Sequence, residues 1–243
     1  MTGIMMAMMN NVPSASVTPV SSGLELYYDP SNSSSYPGSG TTLFDLSPSA
    51  ANATLVGSPT DAGNWFTFTG SQAIRTPNLF GLFSGWQHSL EIWVRPSIPC
   101  CAFSDCGSSS YTSAGYHNTG LEFYNVGPFV INNAMLYNSS TGVTRVGGAT
   151  TPLNNWYQVV RVYNGTNTAY AYVNKVKSAD TSITWTTPNP GWYLSFGSSD
   201  TTFFSTGAAF QGSIGVIRLY NKVLTLAEVT QNYNADKSKY GLS

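Results

Sequence analysis

Charge is what this sequence has least of. Only 9% of its 243 residues are Asp, Glu, Lys or Arg, against about 25% in an ordinary globular chain. The net charge is −1, and the first basic residue is Arg75. A chain with no basic stripe releases few counterions from a phosphate backbone, which argues against nucleic acid as a partner. Long apolar runs are missing too, so no stretch of about 20 apolar residues could span a bilayer as a helix. Histidine is scarce: His88 and His117 are the two present, and neither accompanies a nucleophile-elbow motif. No glycine-rich phosphate loop ends in Lys. Retaining glycoside hydrolysis needs two carboxylates roughly 5 Å apart, which on one strand would show as acids two or four residues apart. Glu25, Glu91 and Glu122 each stand alone, and for Glu91, with Arg95 on its own strand face, an ion pair or a structural polar contact is the expected role. These absences predict a protein that is not an enzyme.

Cysteine is nearly absent as well. The three present, Cys100, Cys101 and Cys106, crowd into CCAFSDC. An odd count makes a poor disulfide framework. One bridge from Cys106 to Cys100 or Cys101 stays open, as does a fully reduced state. Zinc would need a fourth ligand, for which Asp105 and the distant His117 are on offer.

What is there in quantity is Ser, Thr, Asn and Gly for the surface, and aromatic residues at 14% for the interior. Disordered chains lack aromatic and β-branched residues, so the chain folds. A weakly charged surface repels its own copies little, which predicts self-association. Residues 1–22, MTGIMMAMMNNVPSASVTPVSS, read as an extended N-terminal arm. Its Met5, Met6, Met8 and Met9 are flexible side chains suited to an irregular apolar groove on a partner.

From residue 23 onward the pattern is that of strands. Leu24, Leu26 and Tyr28 alternate onto one face. Phe44 and Leu46 begin a short piece, and Ala53–Val56 and Trp65–Phe68 follow. Ser89–Arg95 gives the clearest alternation: Leu90, Ile92 and Val94 share one face, Glu91, Trp93 and Arg95 the other, and Pro96 ends the run. Residues 99–120 read as an irregular, Ser/Gly/Tyr-rich segment. Trp156–Tyr163 and Thr168–Val173 are strands around an Asn164-Gly165 turn, whose residues tolerate positive φ. Trp192–Phe196 and Ile214–Tyr220 are the last strands. One helix is signalled: Thr225 as N-cap with Glu228 three residues later forms a capping box, and Leu224 with Val229 a hydrophobic staple. Leu226, Val229 and Tyr233 would line its buried face. Many short strands, turns between them and one capped helix predict an all-β fold, a two-sheet antiparallel sandwich over residues 23–243.

The stretches LELYYDPSNSSSYPGSGTTLFDLSPSAANATLVGSPT, WFTFTG, HSLEIWVRP, NNWYQVVRVYNGTNTAYAYVN and GSIGVIRLYNKVLTLAEVTQNYNADKSKYG come in an order that resembles the laminin-G-like branch of the concanavalin A-like jelly rolls. The form they resemble recurs in virion proteins of tailed phages, cyanophages included. The resemblance runs from Gly23 to Gly241 and leaves residues 99–120 uncovered. It implies a jelly-roll sandwich with Trp93 and Trp156 on its strands. Some relatives bind calcium, and Asp29 and Asp45 stand where acids belong in that pattern. Calcium takes six to eight oxygens, several from carboxylates, and a chain with 11 acidic residues offers few. Local turn contacts are therefore the role expected of both Asp residues, and no cofactor is expected. Where relatives carry acids after Gly-Ser-Ile, this chain has Gly215 and Val216, which predicts a corner used for packing.

The resemblance implies a virion structural protein, a decoration or cement subunit that grips the major capsid protein or other virion proteins through the sandwich and the arm. A homo-oligomer, taken as a trimer, and a location in the virion go with it. The alternative is a lectin-like adhesion domain of a head fibre, neck or tail protein that binds surface glycans. Trp86, Tyr111, Trp185 and Trp192 are the aromatic candidates for glycan contact.

Overall fold

The computed structural model describes residues 17–79, 87–106, 117–126, 129–138, 142–183, 193–197 and 210–243; from 100 to 149 it describes the backbone together with the side chains of Leu121 and Val146. In chain order the strands are β1 (Leu24–Tyr28), β2 (Thr42–Leu43), β3 (Ala53–Val56), β4 (Thr60–Asp61), β5 (Phe66–Thr69), β6 (Ala73–Arg75), β7 (His88–Pro96), β8 (Cys100–Cys106) and β9 (His117–Val126). They continue as β10 (Phe129–Asn138), β11 (Gly142–Thr150), β12 (Tyr157–Tyr163), β13 (Thr168–Val173), β14 (Val176–Lys177), β15 (Thr181–Ser182), β16 (Tyr193–Gly197) and β17 (Gln211–Tyr220). A helix, α1 (Leu226–Asp236), and a 3-10 turn, Lys237–Tyr240, close the chain.

Two antiparallel sheets form the sandwich. One runs β14-β13-β12-β7-β17-β5-β4, with β1 also on β17 and β15 on β13; the other runs β11-β10-β9-β8-β16-β6-β3-β2. Side chains alternate across a strand, so each sheet sends one apolar set inward. Leu90, Ile92, Val94, Phe66, Phe68, Ile214, Ile217 and Leu219 from the first sheet meet Leu43, Leu55, Ile74, Leu121, Leu194 and Phe196 from the second in the main core. The two-sheet sandwich with one C-terminal helix is thus the architecture that strand alternation and turn spacing predict.

Several details differ from the sequence reading. Leu24 does not share a face with Leu26 and Tyr28. The β1–β17 register shifts between Leu24 and Leu26, and this bulge turns Leu24 toward the cluster under α1. Leu43, not Phe44, is the inward residue of β2, and Phe44 is 41% exposed. Residues 99–120 are not irregular throughout, since β8 and the start of β9 fall there. Their Ser and Gly residues read as turns, but antiparallel neighbours on both sides of β8 supply the ladder. Residues 17–22 are not a free arm either. Val20 is buried, its N–H donates to Asn232 Oδ1 (2.8 Å) and its carbonyl accepts from Tyr220 Oη (3.2 Å). The expected boundary at residue 22 therefore lies within packed chain.

On α1 the Thr225–Glu228 capping box is formed in both directions. Leu226 is 52% exposed, however, and the buried positions are Val229, Asn232, Tyr233 and Asp236. Two of those four are polar, because the helix lies over a polar strip of the sheet.

Candidate binding surface

The outer face of the first sheet carries Glu91, Trp93 and Arg95 from β7, Gln158, Val160 and Val162 from β12, and Val216, Arg218 and Tyr220 from β17. In the ladder Arg218 stands opposite Glu91, and Glu91 opposite Val160. Helix α1 covers the centre. Glu91 is fully buried there: Oε1 accepts from Gln158 Nε2 (2.7 Å) and Arg218 Nη1 (3.3 Å), and Oε2 from Asn232 Nδ2 (2.7 Å). Arg218 Nη1 also meets Asp236 Oδ2 at 2.7 Å. Lys239 bridges Asp236 (2.9 Å) and Asp29 (2.7 Å). Burial pushes the Glu91 carboxyl above its ordinary range, against the pull of Arg218. Burial works against the Arg218 charge as well, but Glu91 and Asp236 outweigh it and hold the guanidinium protonated. This network fixes the C-terminal helix to the sheet.

Beyond it the face becomes aromatic. Tyr240, from the 3-10 turn, stacks on Trp93 (centroids 4.4 Å apart, 22° between planes) and lies 4.4 Å from Trp156. It enters through a bulge in β17, where Ile214 pairs with Val94 but Ile217 with Ile92. Val216 N–H, turned out of the ladder, donates to Tyr240 Oη at 2.8 Å. A Cβ on Gly215 would lie 2.1 Å from that oxygen, so glycine is required by close approach. The corner without acids is a packing corner, filled by a tyrosine.

At the rim the cover stops. Thr67, Ser213 and Arg95 stand in register across β5, β17 and β7, and Trp156, one residue ahead of β12, flanks Arg95. Trp65 and Trp156 are 5.2 Å apart by centroid. The Arg95 guanidinium lies 5.7 Å from the Trp65 ring and 5.6 Å from the Trp156 ring, and its Nη2 donates to Ser213 Oγ at 3.3 Å. Trp65 and Arg95 are half-buried, and Asn155, next to Trp156 in the chain, is exposed. Among the described residues no carboxylate lies within ion-pair distance of Arg95. Glu91 makes the structural polar contacts that were one of its two expected roles, but its ion pair is with Arg218 and not with Arg95. Arg218 occupies the cross-strand position opposite Glu91, nearer than Arg95 four residues along the same strand.

The sites expected from the sequence fall elsewhere. Asp45 Oδ1 accepts from the N–H groups of Tyr27 (2.8 Å) and Ser47 (2.9 Å), and Oδ2 from Ser47 Oγ (2.8 Å) and the Ala51 N–H (2.9 Å). Asp29 Oδ1 accepts from Ser31 N (3.0 Å) and Ser31 Oγ (2.6 Å), while Oδ2 faces Lys239 and Tyr27 Oη. Burial alone would raise the Asp29 carboxyl, but Lys239 and the Ser31 donors outweigh it and hold it below its ordinary value. Both carboxylates thus serve turns, and Asp29 also an ion pair with Lys239. Among the described residues no three His, Cys, Asp or Glu side chains gather as metal ligands. Cys100, Cys101 and Cys106 all lie on β8. At about 3.3 Å per residue, Cys106 sits more than about 15 Å from the other two, beyond the roughly 7 Å Cα span of a disulfide. The bridge left open by the sequence is therefore closed off by the extended strand. Met5, Met6, Met8, Met9, Trp86, Tyr111, Trp185 and Trp192 lie outside the described residues.

Sequence reasoning did not single out the Trp65–Arg95–Trp156 group. Strand alternation puts Trp93 and Arg95 on one face, but residues 65, 95 and 156 converge only through the strand order β5-β17-β7-β12.

These features define a lectin-type jelly roll: two antiparallel sheets, a packed core between them and a helix across one outer face. The chain belongs to the concanavalin A-like lectin/glucanases superfamily, whose laminin G family matches residues 68–230, about two thirds of its length. No curated protein sequence matches it. Among solved structures, domain 4 of AbnA, a GH43 extracellular arabinanase from Geobacillus stearothermophilus, is similar at 16% identity and a TM-score of 0.63. That match covers 88% of this chain and 99% of the domain. The binding domain of botulinum neurotoxin DC is similar at 12% identity and a TM-score of 0.58, with 88% of this chain and 51% of that one covered. A Trypanosoma rangeli sialidase is similar at 14% and 0.60, covering 91% and 34%. The chain thus spans about half of the toxin domain and a third of the sialidase. At such identities the likeness is one of fold.

Proposed function

We propose that this chain is a carbohydrate-binding module without catalytic activity. The observation that carries the reading is the half-buried Trp65 and Arg95 at the rim of the outer face, backed by the buried Trp156. Sugar rings present C–H faces that pack on indoles, and their hydroxyls seek the amides and guanidinium groups alongside, a combination that this rim provides. Domain 4 of AbnA is solved with arabinotriose and the toxin binding domain with SialylT, which supports a glycan ligand for a sandwich of this kind. The absence of catalysis is supported by how the carboxylates are used. Glu91, the raised carboxyl that a general acid would resemble, lies fully buried beneath α1 with both oxygens bonded. The test is a glycan array followed by calorimetry on the full chain. Binding that falls at least tenfold in Trp65→Ala agrees with the reading; no binding to any glycan overturns it.

A second reading, a decoration or cement subunit on a phage capsid, is favoured by the low charge content of 9%, which suits close repeated contacts between copies. The virion location, the capsid partner and the trimer belong to that proposal, and it rests on the sequence resemblance. Electron microscopy of virions assembled with a chain lacking residues 1–16, which spares the buried Val20, tests it: failed incorporation is expected, and normal incorporation would overturn it.

A further inference from the structure

We infer that the Arg95 recess selects an acidic saccharide, one that offers a carboxylate on a sugar ring, and this rests on the carbohydrate-binding reading above. The starting point is an imbalance of charge. Arg218 meets Glu91 and Asp236, Lys239 meets Asp29 and Asp236, Lys222 meets Glu228, and Lys177 meets Asp180. Arg95 is half-buried and, like Lys175 and Lys237, meets no carboxylate among the described residues; unlike them it lies between two indoles, and its one hydrogen bond there is to Ser213 Oγ. A guanidinium partly withdrawn from water favours a counter-charge, and its planar fork matches a carboxylate through two parallel hydrogen bonds.

The setting makes this more than a stray cation. Trp65 and Trp156 flank the guanidinium at 5.7 and 5.6 Å. The attraction between cation and ring faces holds the group in place before any ligand arrives, so little side-chain entropy is lost on binding. Trp156 is itself buttressed by Tyr240, and Asn64 is tied through Nδ2 to the Lys239 carbonyl (3.2 Å). A fixed cation beside a half-buried indole fits a ligand with a charged edge and an apolar face within one ring's width. A uronic acid residue has both: its C–H face covers Trp65 while its carboxylate reaches Arg95. A neutral sugar would leave the guanidinium without its counter-charge, and a small free anion would leave the indole uncovered.

The experiment is calorimetric titration of the full chain with an oligogalacturonate, a neutral galacto-oligosaccharide of the same length, and sodium acetate. It is run on wild type, Arg95→Gln, Arg95→Lys and Trp65→Phe, with melting curves to establish that each variant is folded. The expected result is at least tenfold tighter binding of the oligogalacturonate than of the neutral chain. That preference should shrink as salt is raised, vanish in Arg95→Gln and return in part in Arg95→Lys. Equal affinity for the neutral and acidic chains, unchanged in Arg95→Gln, overturns the selectivity while leaving carbohydrate binding intact. Acetate binding as tightly as the oligosaccharide overturns it in favour of a simple anion site. Binding of neither saccharide overturns the acidic selectivity, and the glycan array then decides the carbohydrate reading by itself. Should Arg95→Gln melt far below wild type, Trp65→Phe and the salt series on wild type decide the matter.

Discussion

At Gly215 a hydrogen atom in place of a side chain decides how the C-terminus docks. Tyr240 Oη sits where a Cβ would be, at 2.1 Å. Gly215→Ala should therefore force Tyr240 out of its slot and cost about 1–3 kcal/mol, as overpacking does. For a chain of this size that lowers the melting temperature by about 2–12 °C, readable by calorimetry. Tyr240→Phe keeps the stacking on Trp93 but leaves the Val216 N–H buried without its acceptor. The expected loss is again about 1–3 kcal/mol, the penalty of an orphaned buried donor. A melting temperature equal to wild type in both variants would show that the corner tolerates being open.

For helix α1, docking depends on polar contacts more than on an apolar stripe. Its buried residues include Asn232 and Asp236, which reach Glu91 and Arg218 on the sheet. Removing one partner of a buried charge cluster leaves the others uncompensated. Arg218→Met would strand Glu91, while Asp236 keeps Lys239, and should destabilise by about 3–5 kcal/mol, measured by urea denaturation. The Asp29–Lys239 pair ties the following 3-10 turn to the end of β1. Because Asp29 is held below its ordinary value of 3.8, the unfolded chain takes up its proton first as pH falls. Its stabilising contribution is thus complete above about pH 4 and is lost as pH drops through the folded value. The gap in melting temperature between wild type and Asp29→Asn should be widest near neutrality and close below that point. A gap that is constant across the acid range would show that Lys239 does not sense the Asp29 charge.

As a whole molecule, the sandwich has two outer faces, and on the first sheet the chain's own ends serve as cover. Val20 joins Val160, Val162, Leu224 and Val229 on one side, and Tyr240 joins Trp93 and Trp156 on the other. Deleting residues 237–243 should uncover both indoles. Tryptophan emission would shift to the red, and the cooperative unfolding transition would fall well below that of the full chain. An unchanged spectrum would mean that the aromatic cluster does not depend on Tyr240. The same cover bounds the candidate site, which lies at the rim beside Tyr240 and Trp156.

Strands β5, β7, β12, β13 and β17, the inward face of β7 and the capped start of the helix were legible because they depend on local rules. Alternation marks β7, Asn164-Gly165 marks the β12–β13 turn, and Thr225 with Glu228 marks the start of α1. Strands β8 and β11 were not legible, because Gly- and Ser-rich segments become strands only when neighbours complete their ladders. The low charge and the alternating apolar residues by themselves determined a two-sheet sandwich with a polar, weakly charged surface, since side-chain period and burial follow from near neighbours along the chain. Which residues meet on the outer face was decided by the tertiary structure alone. Arg218 rather than Arg95 faces Glu91, and Trp65, Arg95 and Trp156 share a rim. Strand order and register join positions 30 to 127 residues apart, and no local pattern encodes those distances.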